Sequence, residues 1–249
     1  METHALMLLA VLGLAAGFVN VMAGGGSLLT MPAMIFMGLP PAVANGTNRV
    51  ALVAQNLTAV RTFHRGGLSD FKTSLTLGLC TLPGVVAGSL AAIRIDPAWF
   101  KRLLALVMVA VLVTTLRKSV ASPKSQDHGT GRPRLVGAHL AMVGIGFYGG
   151  FIQAGVGFLL MGVLTGLLRL DLVRVNMHKV FIVGLYMVPS LLIFALKDQV
   201  IWSAGAVLAC GNAAGAWLAT RAQLRRGEAL IRWVFTAAVL AMAIRLAWG

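Results

Sequence analysis

Two polar clusters, each with one cation, interrupt apolar stretches of this sequence. The clusters are Thr47-Asn48-Arg49 in one stretch and Asn176, His178 and Lys179 in another. A cation buried in a membrane is costly unless a partner neutralises it. Hydroxyl, amide and cationic groups can all donate hydrogen bonds to an anion. The residue types in both clusters therefore favour binding of an anion, which would supply the missing charge.

Each cluster follows a glycine-rich break in an apolar segment. The first break contains Gly24, Gly25, Gly26 and Ser27, and the second contains Gln153, Gly155 and Gly157. A helix that restarts after such a break directs free N–H groups and its positive end towards the break, which also favours an anion. Close helix packing is the alternative role of these glycines. Paired interruptions in two halves of a chain typify secondary transporters, so we predict a site between two repeats.

Other polar residues near the clusters add possible donors. They are Asn20, Gln55, Asn56 and Tyr186. For Arg49 and Lys179, three interpretations are open: snorkelling to lipid headgroups, a structural bond to a carbonyl, or contact with a substrate. His178 is the histidine that we propose as a proton-sensitive group.

The acidic residues support this interpretation by their positions. All seven lie outside the apolar segments or at their ends: Glu2, Asp70, Asp96, Asp127, Asp171, Asp198 and Glu228. Proton and cation carriers commonly place Asp or Glu in the middle of the membrane. The sequence also offers no paired carboxylates and no metal-ligand spacing among its five histidines. We therefore predict neither an enzyme nor a cofactor or metal site.

The composition is that of an integral membrane protein. Of 249 residues, 58% are hydrophobic and 11% are charged, whereas a soluble domain carries about 25% charged residues. The net charge of +14 is spread over loops and span ends, where it fits topology and lipid headgroup contacts rather than nucleic acid. Cys80 and Cys210 lie in apolar runs and are predicted to be small packing residues rather than a disulfide.

Eight apolar segments are long enough to cross a bilayer. They cover residues 5–22, 43–64, 73–93, 99–116, 135–152, 173–196, 200–219 and 229–247. Two shorter pieces, 27–37 and 158–168, are predicted to be half-helices or re-entrant segments. The sequence thus predicts an all-α polytopic membrane protein with about eight spans plus two re-entrant or half-helices. Two repeats of about four spans each, 1–117 and 135–249, flank a polar linker at 118–134.

Several Gly-x-x-x-Gly faces allow helices to approach closely. They lie at Gly13/Gly17, Gly84/Gly88, Gly146/Gly150, Gly162/Gly166 and Gly211/Gly215. Packing within one chain and packing in a homodimer would both use such faces, and the sequence leaves both open. Basic loops are nearly balanced between the two sides, so they favour neither membrane orientation.

The residues quoted above resemble those of the TauE/SafE family of sulfite exporters and sulfonate permeases. The resemblance runs from Gly17-Phe18 through Gly24-Gly25-Gly26 to Pro32, then over Gly38-Leu39-Pro40-Pro41 and 44–49, and finally from Gly146 to 176–180. It implies a bacterial inner-membrane, multi-pass secondary transporter for sulfite, a sulfonate or a related organic anion, with export as the direction. Val156 in the second glycine cluster departs from the pattern, and Met161-Gly162 stands where a proline is expected.

The leading hypothesis is therefore an anion carrier that works by alternating access. Its predicted site comprises Gly24, Gly25, Gly26, Ser27, Thr47, Asn48, Arg49, Gln153, Gly155, Gly157, Asn176, His178 and Lys179. Membrane lipid and a small anion are the expected partners, and nucleic acid is not. The alternatives are a passive anion channel and a membrane subunit that anchors a partner without transporting anything.

Overall fold

The computed structural model describes residues 3–117 and 132–248, and these parts of the chain form nine helices. The helices are α1 (Thr3–Ala23), α2 (Ser27–Phe36), α3 (Pro41–Arg65), α4 (Phe71–Arg94), α5 (Pro97–Arg117), α6 (Arg132–Phe151), α7 (Val156–Leu168), α8 (Leu172–Ala195) and α9 (Trp202–Trp248). The prediction of an all-α chain is confirmed. Most of the predicted linker lies outside the described residues.

Helix α9 covers the two predicted segments 200–219 and 229–247 as two helical parts without a separate loop between them. Its two parts meet at Gly227, whose φ of 64° and ψ of −153° interrupt the helical conformation. The first part continues beyond the predicted end at Ala219, through a polar run that ends near Glu228. This run is rich in Ala, Leu, Arg and Glu, which favour helix even where hydropathy falls.

The acidic residues at helix starts act as caps. Asp70 accepts a hydrogen bond from Thr73 N at the start of α4, and Asp171 accepts from Val173 N and Arg174 N at the start of α8. Such caps satisfy backbone N–H groups that have no partner within the helix. These two acids thus stabilise the starts of α4 and α8.

Among the described residues, three helices are long and apolar enough to span a membrane, judged by length and composition alone. They are Leu6–Ala23, Phe71–Arg94 and Leu172–Ala195. Helix α3 has 25 residues, which is long enough, but its mean hydropathy is too low for this criterion. Its buried face carries Asn45, Asn48, Arg49, Gln55 and Asn56, which lower its mean hydropathy. These side chains face the protein rather than lipid, so their polarity does not argue against a membrane helix.

Glycines set two close helix pairs, and both pairs run parallel. Against α9, a Cβ on Gly13 would lie 2.8 Å from Leu208 O, while Gly17 packs further along on Asn212. Against α6, Gly84 packs on the Val143 carbonyl and Gly88 on the Phe147 carbonyl. Four of the five predicted glycine faces are therefore used within the chain, which is how small residues let helix backbones touch.

Helices α1 and α2 form a hairpin that doubles back on itself. Leu9 near the start of α1 shares a buried apolar cluster with Met34 and Leu39 near the end of α2. Helices α6 and α7 are arranged in the same way, since a Cβ on Gly137 would lie 3.9 Å from Leu167 Cδ1. Both glycine breaks are thus the tips of helical hairpins, which we call the first hairpin (α1–α2) and the second hairpin (α6–α7).

Helices α3 and α8 pack antiparallel between these hairpins. Arg49 near the start of α3 bonds Ser190 near the end of α8. At the other end of the pair, Phe63 of α3 lies with Met177 and Phe181 of α8 around a small pocket. The polar clusters of α3 and α8 are therefore separated along the helix axes.

Candidate functional site

The tips of the two hairpins touch through their glycines. A Cβ on Gly24 would lie 2.5 Å from Gly157 Cα, and a Cβ on Gly157 would collide with Gly24 Cα. Gly24 also has a φ of +90°, a conformation that glycine adopts without strain. The structure thus brings together the two breaks that the sequence singled out, at a point where any side chain would force them apart.

The first break is tied to α3 by Asn48. Its Nδ2 donates to Ser27 Oγ (3.2 Å), and its Oδ1 accepts from Thr30 Oγ1 (2.7 Å). Both partners lie in the first two turns of α2, so Asn48 fixes the position of that helix start. The predicted pairing of Ser27 with the Thr47-Asn48-Arg49 cluster is present through this one residue.

The second break contains a residue in a left-handed conformation that is not glycine. Gln153 has a φ of 65°, and Gly155 follows with a φ of 77°. Gly155 is the N-cap of α7 as Gly26 is the N-cap of α2. Gln153 therefore corresponds to Gly24, although matching glycine to glycine in the sequence would pair Gly155 with Gly24. Aligning glycine with glycine places the second break two residues out of register.

Arg49 is fully buried and binds the end of α6. Its two terminal nitrogens donate to Gly150 O (2.6 Å), Gly149 O (3.3 Å), Ser190 Oγ (2.6 Å) and Asn45 Oδ1 (3.1 Å). Asn45 Nδ2 donates to the next carbonyl, Phe151 O, at 2.8 Å. The guanidinium also lies over the Phe194 ring, 4.4 Å from its centre.

Lys179 binds the end of α1 in the same manner. Its Nζ donates to Val21 O (2.9 Å), Asn20 O (3.1 Å) and Asn176 Oδ1 (2.6 Å). Asn176 Nδ2 donates to the next carbonyl, Met22 O, at 3.2 Å. Each cation thus meets carbonyl groups at the C-terminal, negative end of a helix from the other half of the chain. Of the three interpretations, the structure places both residues in bonds to carbonyls.

Two of the predicted site residues lie away from the breaks. Thr47 Oγ1 accepts from Ile201 N (3.0 Å), beside the start of α9. His178 Nδ1 lies 2.8 Å from Ser74 Oγ on α4. The helical turn accounts for the difference, because neighbouring residues on α3 or α8 project about 100° apart.

Two glutamines lie at the breaks with one end of each amide engaged. Gln55 Oε1 accepts from Asn20 Nδ2 (3.1 Å), and Gln153 Oε1 accepts from the Tyr186 hydroxyl (3.2 Å). Asn20 Oδ1 in turn accepts from the backbone N–H of Gly26 (3.3 Å). Gln55 is 1% exposed and Gln153 is 2% exposed. Their Nε2 groups are donors that no described residue engages.

Sequence reasoning missed three polar residues of this region. Asn45 and Ser190 share Arg49, and Gln223 Oε1 accepts from Asn176 Nδ2 at 2.9 Å. Ser190 also bonds Ser89 of α4. Asn45 could have been found from its position four residues before Arg49, on the same helix face. Gln223 carries no comparable signal because it lies in a polar run near a predicted loop.

The buried polar residues in the described part of the chain include Arg49 and Lys179 but no Asp or Glu. The N-terminal ends of α2 and α7, which carry partial positive charge, also begin at the breaks. Negative charge near the breaks comes from the ends of α1 and α6, roughly half a unit each. The region around the hairpin tips is therefore positive on balance.

A family model described as "Sulfite exporter TauE/SafE" matches residues 9–246. The chain belongs to this family. The resemblance found in the sequence is thereby confirmed, and the protein is a membrane transporter of the sulfite exporter family.

Curated relatives match along nearly the whole chain. A "Probable membrane transporter protein" of Haemophilus influenzae is 29% identical, over 91% of this chain and 88% of the relative. The Sinorhizobium "Probable membrane transporter protein ORF9" is 28% identical (98% and 92%), and the Escherichia coli K12 "Probable membrane transporter protein YfcA" is 28% identical (93% and 85%). These names describe transporters rather than enzymes. No solved structure matches the chain.

Proposed function

We propose that this protein is a secondary transporter that moves a small anion through a site at the tips of the two hairpins. The observation that carries the proposal is the charge balance at these tips. Two buried cations bind the helix ends that lead into these tips, two helices start at the tips, and the described buried residues include no acid. Carrying an anion to this place would cost less than carrying a cation, because the local potential is positive.

The proposed ligands are groups at the break whose N–H donors have no acceptor among the described residues. They are the backbone N–H groups of Gly25, Ser27 and Gly157, together with the Gln55 and Gln153 amides. Arg49 and Lys179 add long-range attraction, which is strong where water is excluded. Sulfite or a sulfonate fits this donor set, because each presents three oxygen acceptors on one anionic sulfur group.

We infer that the two halves are inverted repeats. Supporting this, α1 is parallel to the first part of α9 and α4 is parallel to α6, so the first helix of each half pairs with the third span of the other. The antiparallel packing of α3 and α8 has the same origin, since they are equivalent helices in oppositely directed halves. Inverted halves can exchange conformations, which is the structural basis of alternating access.

The hairpin contact is also the place where the two access routes would separate. Gly24 and Gly157 close the space between the halves without side chains, so a small rotation of one hairpin would open a path on one side. We propose that export through a cell inner membrane, in a multi-pass arrangement, is the cellular role. The family's printed description as a sulfite exporter motivates the direction and the substrate class.

A thermal-shift screen of purified protein in detergent tests the proposed anion site. Sulfite, sulfate, thiosulfate, sulfoacetate, taurine and small carboxylates would be compared at equal ionic strength. We expect one class of sulfur oxyanion or sulfonate to raise Tm in a saturable way, since a ligand that binds only the folded state stabilises it. The shift should vanish in Gln153→Leu and persist in Gln199→Leu, a loop variant. An equal rise in Tm with every salt would contradict a specific anion-binding site.

A further inference from the structure

Lys179 and Arg49 bind backbone carbonyls at the C-terminal ends of helices from the opposite half. Lys179 has three N–H groups, and the structure gives each an oxygen acceptor: Asn20 O, Val21 O and Asn176 Oδ1. Arg49 has five N–H groups, of which four are engaged, and only its Nε is buried without an acceptor. An anion in direct contact with Lys179 would have to displace one of these three acceptors.

The two arrangements match residue for residue. The Arg49 group binds the carbonyls of Gly149, Gly150 and Phe151, and the Lys179 group binds those of Asn20, Val21 and Met22. In both, the cation takes the first two carbonyls and an asparagine from the same helix takes the third. Where a helix ends inside the membrane, its last carbonyl groups have no partner within the helix. Leaving them without a hydrogen bond is costly in a low-dielectric interior.

We infer that Arg49 and Lys179 are positioning residues that cap the hairpin of the opposite half, and that they do not ligate the transported anion. Each cap joins the two halves: Lys179 of α8 holds the first hairpin, and Arg49 of α3 holds the second. The transport cycle therefore moves the first hairpin together with α8, and the second hairpin together with α3. Substrate ligation falls to the neutral donors at the breaks, a part of the inference that rests on the proposed function.

Amide hydrogen exchange on the full-length protein, without substrate, tests the capping. In Lys179→Met, we expect exchange in a peptide covering residues 20–30 to rise about tenfold, while a peptide covering 149–158 changes less than about twofold. Arg49→Met should do the reverse. Arg174→Met on α8 and Arg61→Met on α3 are matched controls with exposed cations, and both should leave the two peptides unchanged.

Milder variants keep the test informative if the Met variants fold poorly. Asn176→Leu removes the bond to Met22 O together with those to Lys179 and Gln223, and Asn45→Leu removes the bond to Phe151 O together with that to Arg49, while both cations keep their own bonds to the helix carbonyls. Each should raise exchange about threefold at the hairpin of the opposite half only. An increase spread equally over both halves, or no increase at the opposite hairpin, would overturn the inference.

Arg49→Lys separates positioning from ligation. Lysine keeps the charge, but one ammonium cannot replace a planar fork that holds four oxygen acceptors. We expect faster exchange at the end of α6 and at least a tenfold slower transport rate, with the Kd of the stabilising anion changed less than about threefold. A tenfold rise in Kd with unchanged exchange would assign direct contact and overturn the inference. If no anion binds the wild-type protein, the proposed function fails while the exchange result still decides the capping.

Discussion

Gln55 is oriented by a chain of hydrogen bonds that begins at the backbone of the first break. The Gly26 N–H donates to Asn20 Oδ1, and Asn20 Nδ2 then donates to Gln55 Oε1. Because each step fixes the next, the Gln55 amide must present its Nε2 donor away from Asn20. This Nε2 has no acceptor among the described residues, and an anion that reached it would supply one.

Gln55→Glu tests this donor. The carboxylate would still accept from Asn20, but it would replace the free donor with a negatively charged acceptor. We expect the Kd of the transported anion to rise more than about tenfold, because a hydrogen bond is lost and like charges repel. Binding by thermal shift or calorimetry measures the effect. Gln199→Glu, in a loop where the amide bonds Lys197 O, is the matched control, and equal affinity in both variants would contradict a role for Gln55.

The partners of Arg49 and Lys179 show what residue types alone could and could not predict. The sequence indicated two buried cations without intramembrane acids, and this part agrees with the structure. It left three interpretations open for these cations: snorkelling to headgroups, a structural bond to a carbonyl, or contact with a substrate. The carbonyl oxygens that accept hydrogen bonds from Lys179 belong to the backbone and lie up to 159 positions away in the sequence. A residue pattern does not display partners of this kind.

At the scale of elements, the contact between the two hairpins depends on glycine at the tips. Gly24→Ala should lower the free energy of unfolding by about 3 kcal/mol or more, since it adds both a left-handed alanine and a backbone collision. Transport should be lost with it. Unfolding by denaturant in detergent and flux in proteoliposomes provide the two measurements.

Gly38→Ala is the matched control for backbone conformation. Gly38 has a φ of +91°, but a Cβ there would meet nothing within 4 Å. Its cost should be about 1 kcal/mol, from the left-handed conformation alone. Equal costs at Gly24 and Gly38 would mean that the hairpin contact contributes nothing to stability.

The parallel pairing of α4 and α6 gives a second prediction for elements. A Cβ on Gly146 would collide with the Thr81 carbonyl, whereas a Cβ on Gly144 of the same helix would meet nothing within 4 Å. Gly146→Ala should therefore destabilise the protein by about 1–3 kcal/mol. Gly144→Ala should be neutral or slightly stabilising, since alanine favours helix. If the two variants are equally stable, α4 and α6 do not pack through this face.

Apolar segments predicted the helices better than they predicted how the helices turn. The predicted segments 27–37 and 158–168 coincide closely with α2 and α7, because length alone excludes them as spans. Hydropathy could not tell that α1 and α2 double back, since this depends on which side chains meet. It also ended the first part of α9 at Ala219, although helix propensity carries the helix on to Gly227.

For the whole molecule, inverted halves predict which loops share a membrane face. The loop after α3 should lie with the loop before α8 on one side, and the loop after α8 should lie on the other. Ser69→Cys and Lys197→Cys, each in a chain whose Cys80 and Cys210 are replaced by alanine, report these positions. One should react with an impermeant thiol reagent in intact cells, and the other only after permeabilisation. Labelling of both from the same side would exclude the inverted arrangement.

The fifth glycine face, Gly162/Gly166 on α7, takes no part in packing within the described chain, since a Cβ on either residue would meet nothing within 4 Å. The prediction of a homodimer therefore remains open at the scale of the assembly. The proposed transport site lies within one chain and does not require a second copy.

Counterflow in proteoliposomes tests the central claim most directly. Vesicles holding the purified protein would be loaded with unlabelled sulfite and diluted into a trace of labelled sulfite, with sulfoacetate and sulfate compared in parallel. The carrier mechanism predicts transient accumulation of label that saturates with internal anion and disappears in Gly24→Ala but not in Gly38→Ala. Flux that rises linearly without accumulation would indicate a channel. Flux no greater than that of empty vesicles for every anion would contradict the proposed anion carrier.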